Sequence, residues 1–308
     1  MLQEPVQHAA TEAVGKFNAG EVIIEHVSNS SIEHPLIHLP TIAGIDFSVT
    51  KHVLMLWAVA AIILVVVIPT VQRYLKHDRA IPSGFMNVLE FLVEFVRDSI
   101  ALPNVGKKWV HVWTPLILTF FVFIFSANAI GMLPIFDVLG VLDRSVLHTS
   151  HDSWLNHLIH GGVTATGNYN VTAALATITF VSIIIAGSRA HGFVKHWQNL
   201  VPHGLNPFIY ILLIPIEILG MFVRPFALTM RLAANMTGGH IALLAIMSLV
   251  FILGEQFGSA AGLGTGVVLS VPLAVFVTGI EIIVVLVQAY VFTLLSAVFI
   301  GMAIHVHH

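Results

Sequence analysis

The chain has 308 residues, of which 57% are hydrophobic and only 9% charged, whereas ordinary soluble domains are about 25% charged. Its net charge is -3 and it has no long Lys/Arg run, so it lacks the means to bind a phosphate backbone, and nucleic acid is excluded as a partner. The lack of cysteine removes disulfides, thiolate metal sites and Cys nucleophiles. A mean hydropathy of +0.92 points to lipid as the main solvent. In hydrocarbon, backbone polar groups need internal partners, and alternating barrel strands would carry more polar residues. The expected fold is all-α: a polytopic membrane protein with about five crossing helices and an amphipathic surface helix.

Residues 1–50 have neither a basic segment followed by an apolar one nor an Arg-rich amphipathic pattern, so no cleavable signal or transit peptide is expected. They carry Glu4, Glu12, Glu21, Glu25, Glu33 and Asp46 against Lys16, which suggests a soluble, weakly structured arm. The membrane domain is placed at 51–308. Its first span, 52–71, is long enough to cross a core of about 30 Å. Arg73, Lys76 and Arg79 follow directly and mark the inner side, leaving the arm outside.

Residues 85–101 read as an amphipathic helix on the inner surface. Phe85, Val88, Leu89, Leu92 and Val96 form its apolar face, while Glu90, Glu94, Arg97 and Asp98 interrupt the run. Lys107 and Lys108 precede a second span at 110–132. The outer loop 137–170 groups His148, His151, His157 and His160 near Asp152. That set could ligate a transition metal, but its spacing does not match paired zinc-ligand motifs, and a solvated hairpin is the preferred reading. A third span, 171–187, returns inward and ends at Arg189, His191 and Lys195.

The last two segments, 207–254 and 267–304, are too long for simple spans. At the helical rise the first is about 70 Å long, more than twice the hydrocarbon thickness. Steep tilt relieves such a mismatch, so the two are expected to pair as a tilted hairpin through a glycine-rich turn at 255–266. The charges agree with this topology, since eight of the thirteen Lys/Arg (Arg73, Lys76, Arg79, Arg97, Lys107, Lys108, Arg189 and Lys195) fall in segments assigned inside.

The ionisable residues within the long segments are Glu217, Arg224, Arg231, His240 and Glu281. A charge at mid-bilayer costs about 2.5 to 3.5 kcal/mol on insertion scales, so a chain that keeps several is using them. Glu217, Arg224 and Arg231 are seven residues apart and share one helical stripe, which Asn235 continues; Glu281 and Gln288 repeat the spacing. The plainest reading of Glu217 and Arg224 is an internal ion pair. Arg231 has no carboxylate three or four residues away, so its partner must come from elsewhere. His240 fits either a satisfied interhelical histidine or a proton relay. Ala233, Ala234, Gly238 and Gly239 are small enough to let a partner helix approach.

The run from Leu228 to His240, LTMRLAANMTGGH, resembles the Arg-Leu-x-x-Asn-Met-x-x-Gly-[Glu/His] signature of the F-type ATP synthase a subunit, also called subunit 6. Further pieces stand in the family's order: Asn128-x-x-Gly131-x-Leu133-Pro134, Asn170-Val171-Thr172, Glu217, and the stretch from Val287 to Phe292. The resemblance spans residues 53–304. It implies a non-catalytic stator subunit of the Fo motor, with no cofactor, that passes protons through two aqueous half-channels to and from a rotating c-ring. Arg231 would separate the half-channels. Asn235, His240, Glu281 and Gln288 would line the outer one and Glu217 the inner one. The implied partners are the c-ring, the peripheral-stalk b subunits, protons and the lipid bilayer, in a bacterial inner membrane or alternatively a mitochondrial one. This sequence departs from the best-known bacterial pattern at two positions: His240 stands where a glutamate is usual and Glu281 where a histidine is usual. The exchange keeps one carboxylate and one imidazole.

Three rival classes find less support. A secondary transporter would usually show an internal repeat, and none is visible. A haem oxidoreductase needs paired deep histidines, but only His240 lies deep in an apolar stretch. The His-Glu-x-x-His pattern of an intramembrane metalloprotease is absent, as is a Gly-x-x-x-x-Gly-Lys-[Ser/Thr] nucleotide loop.

Overall fold

The computed structural model describes residues 18–27, 37, 39–40, 48–76, 81, 83–133, 164–198 and 207–305. Among them the secondary structure is helical, with one isolated antiparallel bridge between Ile37 and Val49 and no β-strand. The helices are α1 (Ala19–Val27), α2 (Lys51–Leu75), α3 (Phe85–Glu94), α4 (Leu102–Val105), α5 (Val110–Met132), α6 (Tyr169–His191), α7 (Phe193–Gln198), α8 (Pro207–Phe257), α9 (Ser259–Thr265) and α10 (Val271–Ile304). Five helical stretches among the described residues are long and apolar enough to cross a membrane: α2, α5, α6, α8, and the α9–α10 run. The chain is thus an all-α, multi-pass membrane protein. The histidines of the 137–170 loop lie outside the described residues, as do Arg79 and most of the N-terminal arm.

Three local features differ from the sequence expectation. Within the arm, α1 is a regular helix of 9 residues. The Asn18 side chain accepts a hydrogen bond from the Glu21 amide at 3.3 Å, and Glu21 complements the positive end of the helix. The amphipathic segment is not one uniform helix, because α3 passes at Phe95–Ala101 into a π-helical stretch before α4. The wider turn shifts the apolar face, so Val96, Ile100 and Val105 are fully buried while no residue of α3 is. Only one glycine of the expected 255–266 turn breaks the helix. Gly258 takes φ +93, a left-handed conformation open to glycine at little cost, whereas Gly262 and Gly264 lie within α9 and Gly266 in a π-helical stretch.

The chain divides into two compact units, residues 29–237 with 282–308 and residues 1–28 with 238–281. In the larger unit, the core joins Val96 and Ile100 to Trp113, Ile117 and Ile124 of α5, Leu228 and Leu232 of α8, and Phe292 and Ile300 of α10. Phe120 meets Phe292 edge to face at 5.5 Å. Polar pairs lock the same interfaces: Thr179 and Ser296 hydroxyls lie 3.1 Å apart, and the Thr166 hydroxyl donates to Asn128 Oδ1. In the smaller unit, α8 folds back on α9 through the Gly258 break. Gly262 lies so close to Gly254 and to the carbonyl of Val250 that a side chain there would collide with backbone. Small residues therefore set that approach.

Hydroxyl side chains in the apolar helices bond back to the preceding turn, as Thr229 does to the carbonyl of Pro225, Thr278 to Ala274 and Thr293 to Ala289. A polar group is thereby satisfied without water.

Candidate functional site

In the larger unit, α8 buries Leu228, Leu232, Ala233 and Met236. These positions follow the helical period, and Leu228 and Leu232 pack into the core just described. The opposite surface of the same turns carries Ala227, Met230, Arg231, Ala234 and Asn235, all exposed. The sequence dictates this split, because the apolar residues are spaced to cover one face and Arg231 falls outside it. Ala233 is thus a core residue and does not border the arginine, while Ala234 and Asn235 do share its exposed surface.

The three charges of the stripe differ in their surroundings. Arg224 Nη2 lies 3.4 Å from Glu217 Oε1, and its guanidinium lies 5.7 Å from the centre of the Phe299 ring, so ion-pair and cation–π contacts both hold it. The internal ion pair read from the sequence is present. Arg231 has no carboxylate within ion-pair distance among the described residues. Arg231 is thus an exposed, permanently charged guanidinium on a helix face whose other residues, apart from Asn235, are apolar. Gln288 is 4% exposed, on the buried side of α10.

In the smaller unit, Glu281 and the backbone of α8 are in direct contact. The Glu281 carboxylate occupies the space that a Cβ on Gly239 would take, beside His240 in sequence. A carboxylate and an imidazole are thus presented at neighbouring positions of one hairpin, in partly exposed surroundings. Sequence reading missed the role of Gly239, taking the Gly238-Gly239 pair as room for a partner helix. The sequence signal was glycine within a long helical pattern, a choice that costs about 1 kcal/mol relative to Ala and so points to a packing reason.

Among the described residues no three His, Asp or Glu side chains converge on a position that could hold a metal ion. In the larger unit Arg231 can attract an anion and Glu217 and Arg224 form an internal ion pair, while in the smaller unit Glu281 and His240 are groups able to exchange protons.

A family model described as ATP synthase A chain matches residues 53–301. The ATP synthase subunit a of Chlorobium phaeobacteroides is 38% identical over 303 residues, covering 96% of this chain and 78% of the relative. ATP synthase subunit a 2 of Chlorobium luteolum is 40% identical over 293 residues, covering 92% of this chain and 76% of the relative. The Myxococcus xanthus subunit a is 38% identical over 265 residues, covering 86% and 75%. Over nearly its whole membrane region, this chain belongs to the ATP synthase A chain family, a component of the Fo part of the enzyme.

Proposed function

We propose that this chain is the proton-translocating stator subunit of an F-type ATP synthase in a bacterial inner membrane, and that Arg231 closes its two half-channels to each other. The observation that carries this reading is the state of Arg231: exposed on an apolar helix face, with no carboxylate of the described residues within ion-pair distance. The anion it awaits is a carboxylate on each passing subunit of a c-ring. Protons enter from outside past Asn235, His240, Glu281 and Gln288, ride the ring, and leave past Glu217. Each proton crossing the membrane supplies about 2.3 kcal/mol per 100 mV, which a single continuous pore would dissipate. Arg231 prevents that leak because it stays protonated at any working pH and so relays no proton itself. The subunit is non-catalytic; ATP forms on other subunits, and peripheral-stalk b subunits hold this chain still against the ring. The N-terminal arm lies outside, and Lys107 and Lys195 lie inside.

The deciding experiment is Arg231→Gln in the assembled complex in inverted vesicles. ATP synthesis driven by a proton gradient should fall below detection while the complex still assembles. Near-normal coupled synthesis in that variant would overturn the assignment.

A further inference from the structure

In the larger unit, α2, α3 with its π-helical extension, and α5 enclose a cleft of about 590 Å³ that the proton path leaves unused. One wall is a continuous stripe of α2: Ala60, Ile63, Leu64, Val67 and Val71, at helical spacing. Leu64 is 55% exposed, because the cleft and not protein lies against it. The facing wall is apolar except for Thr119, whose hydroxyl donates to the Pro115 carbonyl, and three charged side chains, Glu90, Glu94 and Arg97.

Those charges do not cancel. Arg97 gives its Nε and one terminal nitrogen to Asp98 at 2.7 and 2.8 Å, and the pair holds the Asp98 carboxyl below the usual carboxylate range. Among the described residues Glu90 and Glu94 have no ion-pair partner, so this edge of the cleft carries two carboxylates in excess. An occupant must therefore combine an apolar body with a cationic group. The size of the cleft limits it further. The α2 stripe runs from Ala60 to Val71, eleven helical steps and about 16 Å, close to half of the roughly 30 Å hydrocarbon core. That is the depth of one leaflet. A spanning helix from another subunit needs the full thickness, about twice that length.

We propose that this cleft binds one phospholipid of a single leaflet, whose acyl chain lies along the α2 stripe and whose ammonium headgroup is held by Glu90 and Glu94. The remaining terminal nitrogen of Arg97 is available to the lipid phosphate. A headgroup with both charges, such as phosphoethanolamine, matches this set, whereas a purely anionic headgroup meets two uncompensated carboxylates. The site does not depend on the role given to Arg231.

The test uses the assembled complex in nanodiscs containing equal amounts of phosphatidylethanolamine and phosphatidylglycerol, one of the two carrying a photoactivatable acyl chain in each run. Labelling of residues 60–71 and 86–97 is read by peptide mass spectrometry. The ethanolamine lipid should label these peptides about tenfold more than the glycerol lipid, the discrimination expected of a charge-assisted contact. Glu90→Gln with Glu94→Gln should bring the two lipids close to equal, and Leu64→Trp should block both. If Leu64→Trp does not assemble, the double Gln variant on the polar edge carries the test. Equal labelling of the native complex by both lipids, preference for the glycerol lipid, or cross-linking of the cleft to another subunit instead would each overturn the proposal.

Discussion

The carboxylate of Glu281 sits where a side chain on Gly239 would stand, so a glycine at 239 is the condition for Glu281 to lie against α8. Gly239→Ala forces the carboxylate outward, an overpacking change that typically costs about 1 to 3 kcal/mol. If Glu281 takes up protons in this position, passive proton conduction through Fo in vesicles stripped of the catalytic part should fall by roughly tenfold, about 1.4 kcal/mol. Adding Glu281→Asp, one methylene shorter, should recover a large part of the loss. A Gly239→Ala complex that conducts normally would remove the functional meaning of the contact.

The exchange of residue types at 240 and 281 gives a second test. The pair supplies one imidazole and one carboxylate, and a relay needs both groups more than it needs either at a fixed position. Glu281→Gln should therefore reduce proton uptake strongly, while His240→Glu with Glu281→His should keep substantial ATP synthesis. An inactive but assembled double variant would show that position matters more than residue type.

Glu217 and Arg224 make a third case, since their contact is structural by geometry but lies two turns from Arg231. Their side chains are 37% and 26% exposed, and Arg224 also lies over Phe299. Losing a partly exposed pair and a cation–π contact costs on the order of 1 kcal/mol. Arg224→Gln should accordingly lower the thermal stability of the complex modestly and leave coupled synthesis measurable. Arg231→Gln should do the reverse, leaving stability nearly unchanged and abolishing synthesis. Equal loss of synthesis in both variants would mean that the two arginines share one function.

Composition and helical period were enough to find five apolar crossings and to mark Arg231 as a charge with no carboxylate three or four residues away, because run length and residue spacing are one-dimensional signals. The pairing of Glu217 with Arg224 was legible for the same reason, since seven residues is nearly two full turns. Features that depend on which helices meet were not legible. Ala233 and Gly239 look alike as small residues near Arg231, yet one packs in the larger unit's core and the other admits a carboxylate from a segment some forty residues onward. The π-helical stretch at Phe95–Ala101 was also hidden: an extra residue in a turn leaves the apolar pattern almost unchanged but alters which side chains are buried. The same holds for Gly258, one of several glycines in its stretch and the only one there with a positive φ among the described residues.

The C-terminal end of α6 gives the last prediction. His196 of α7 is 5% exposed, and its ring fills the space beside Gly187, where an added Cβ would collide with it. Burial first, and then the nearby charge of His191, lowers its pKa below the ordinary 6.5. His191 is itself tied to the end of α10, its Nε2 lying 2.8 Å from the Ile304 carbonyl oxygen. Because the folded pKa is depressed, the docked α7 holds a neutral His196, while the undocked segment takes up a proton at ordinary pH values. Docking is thus fully stable above about pH 6.5 and weakens as the pH falls from there toward the depressed folded value. Amide hydrogen exchange across residues 193–198 should speed up between pH 7.5 and 5.5, after correction for the intrinsic rate. His196→Phe, which keeps an aromatic ring but cannot take a proton, should remove that extra pH dependence. Gly187→Ala should raise exchange at both pH values, because it expels the ring whatever its charge. If exchange in this segment follows only the intrinsic pH dependence in the native chain, the burial of His196 is not coupled to its protonation.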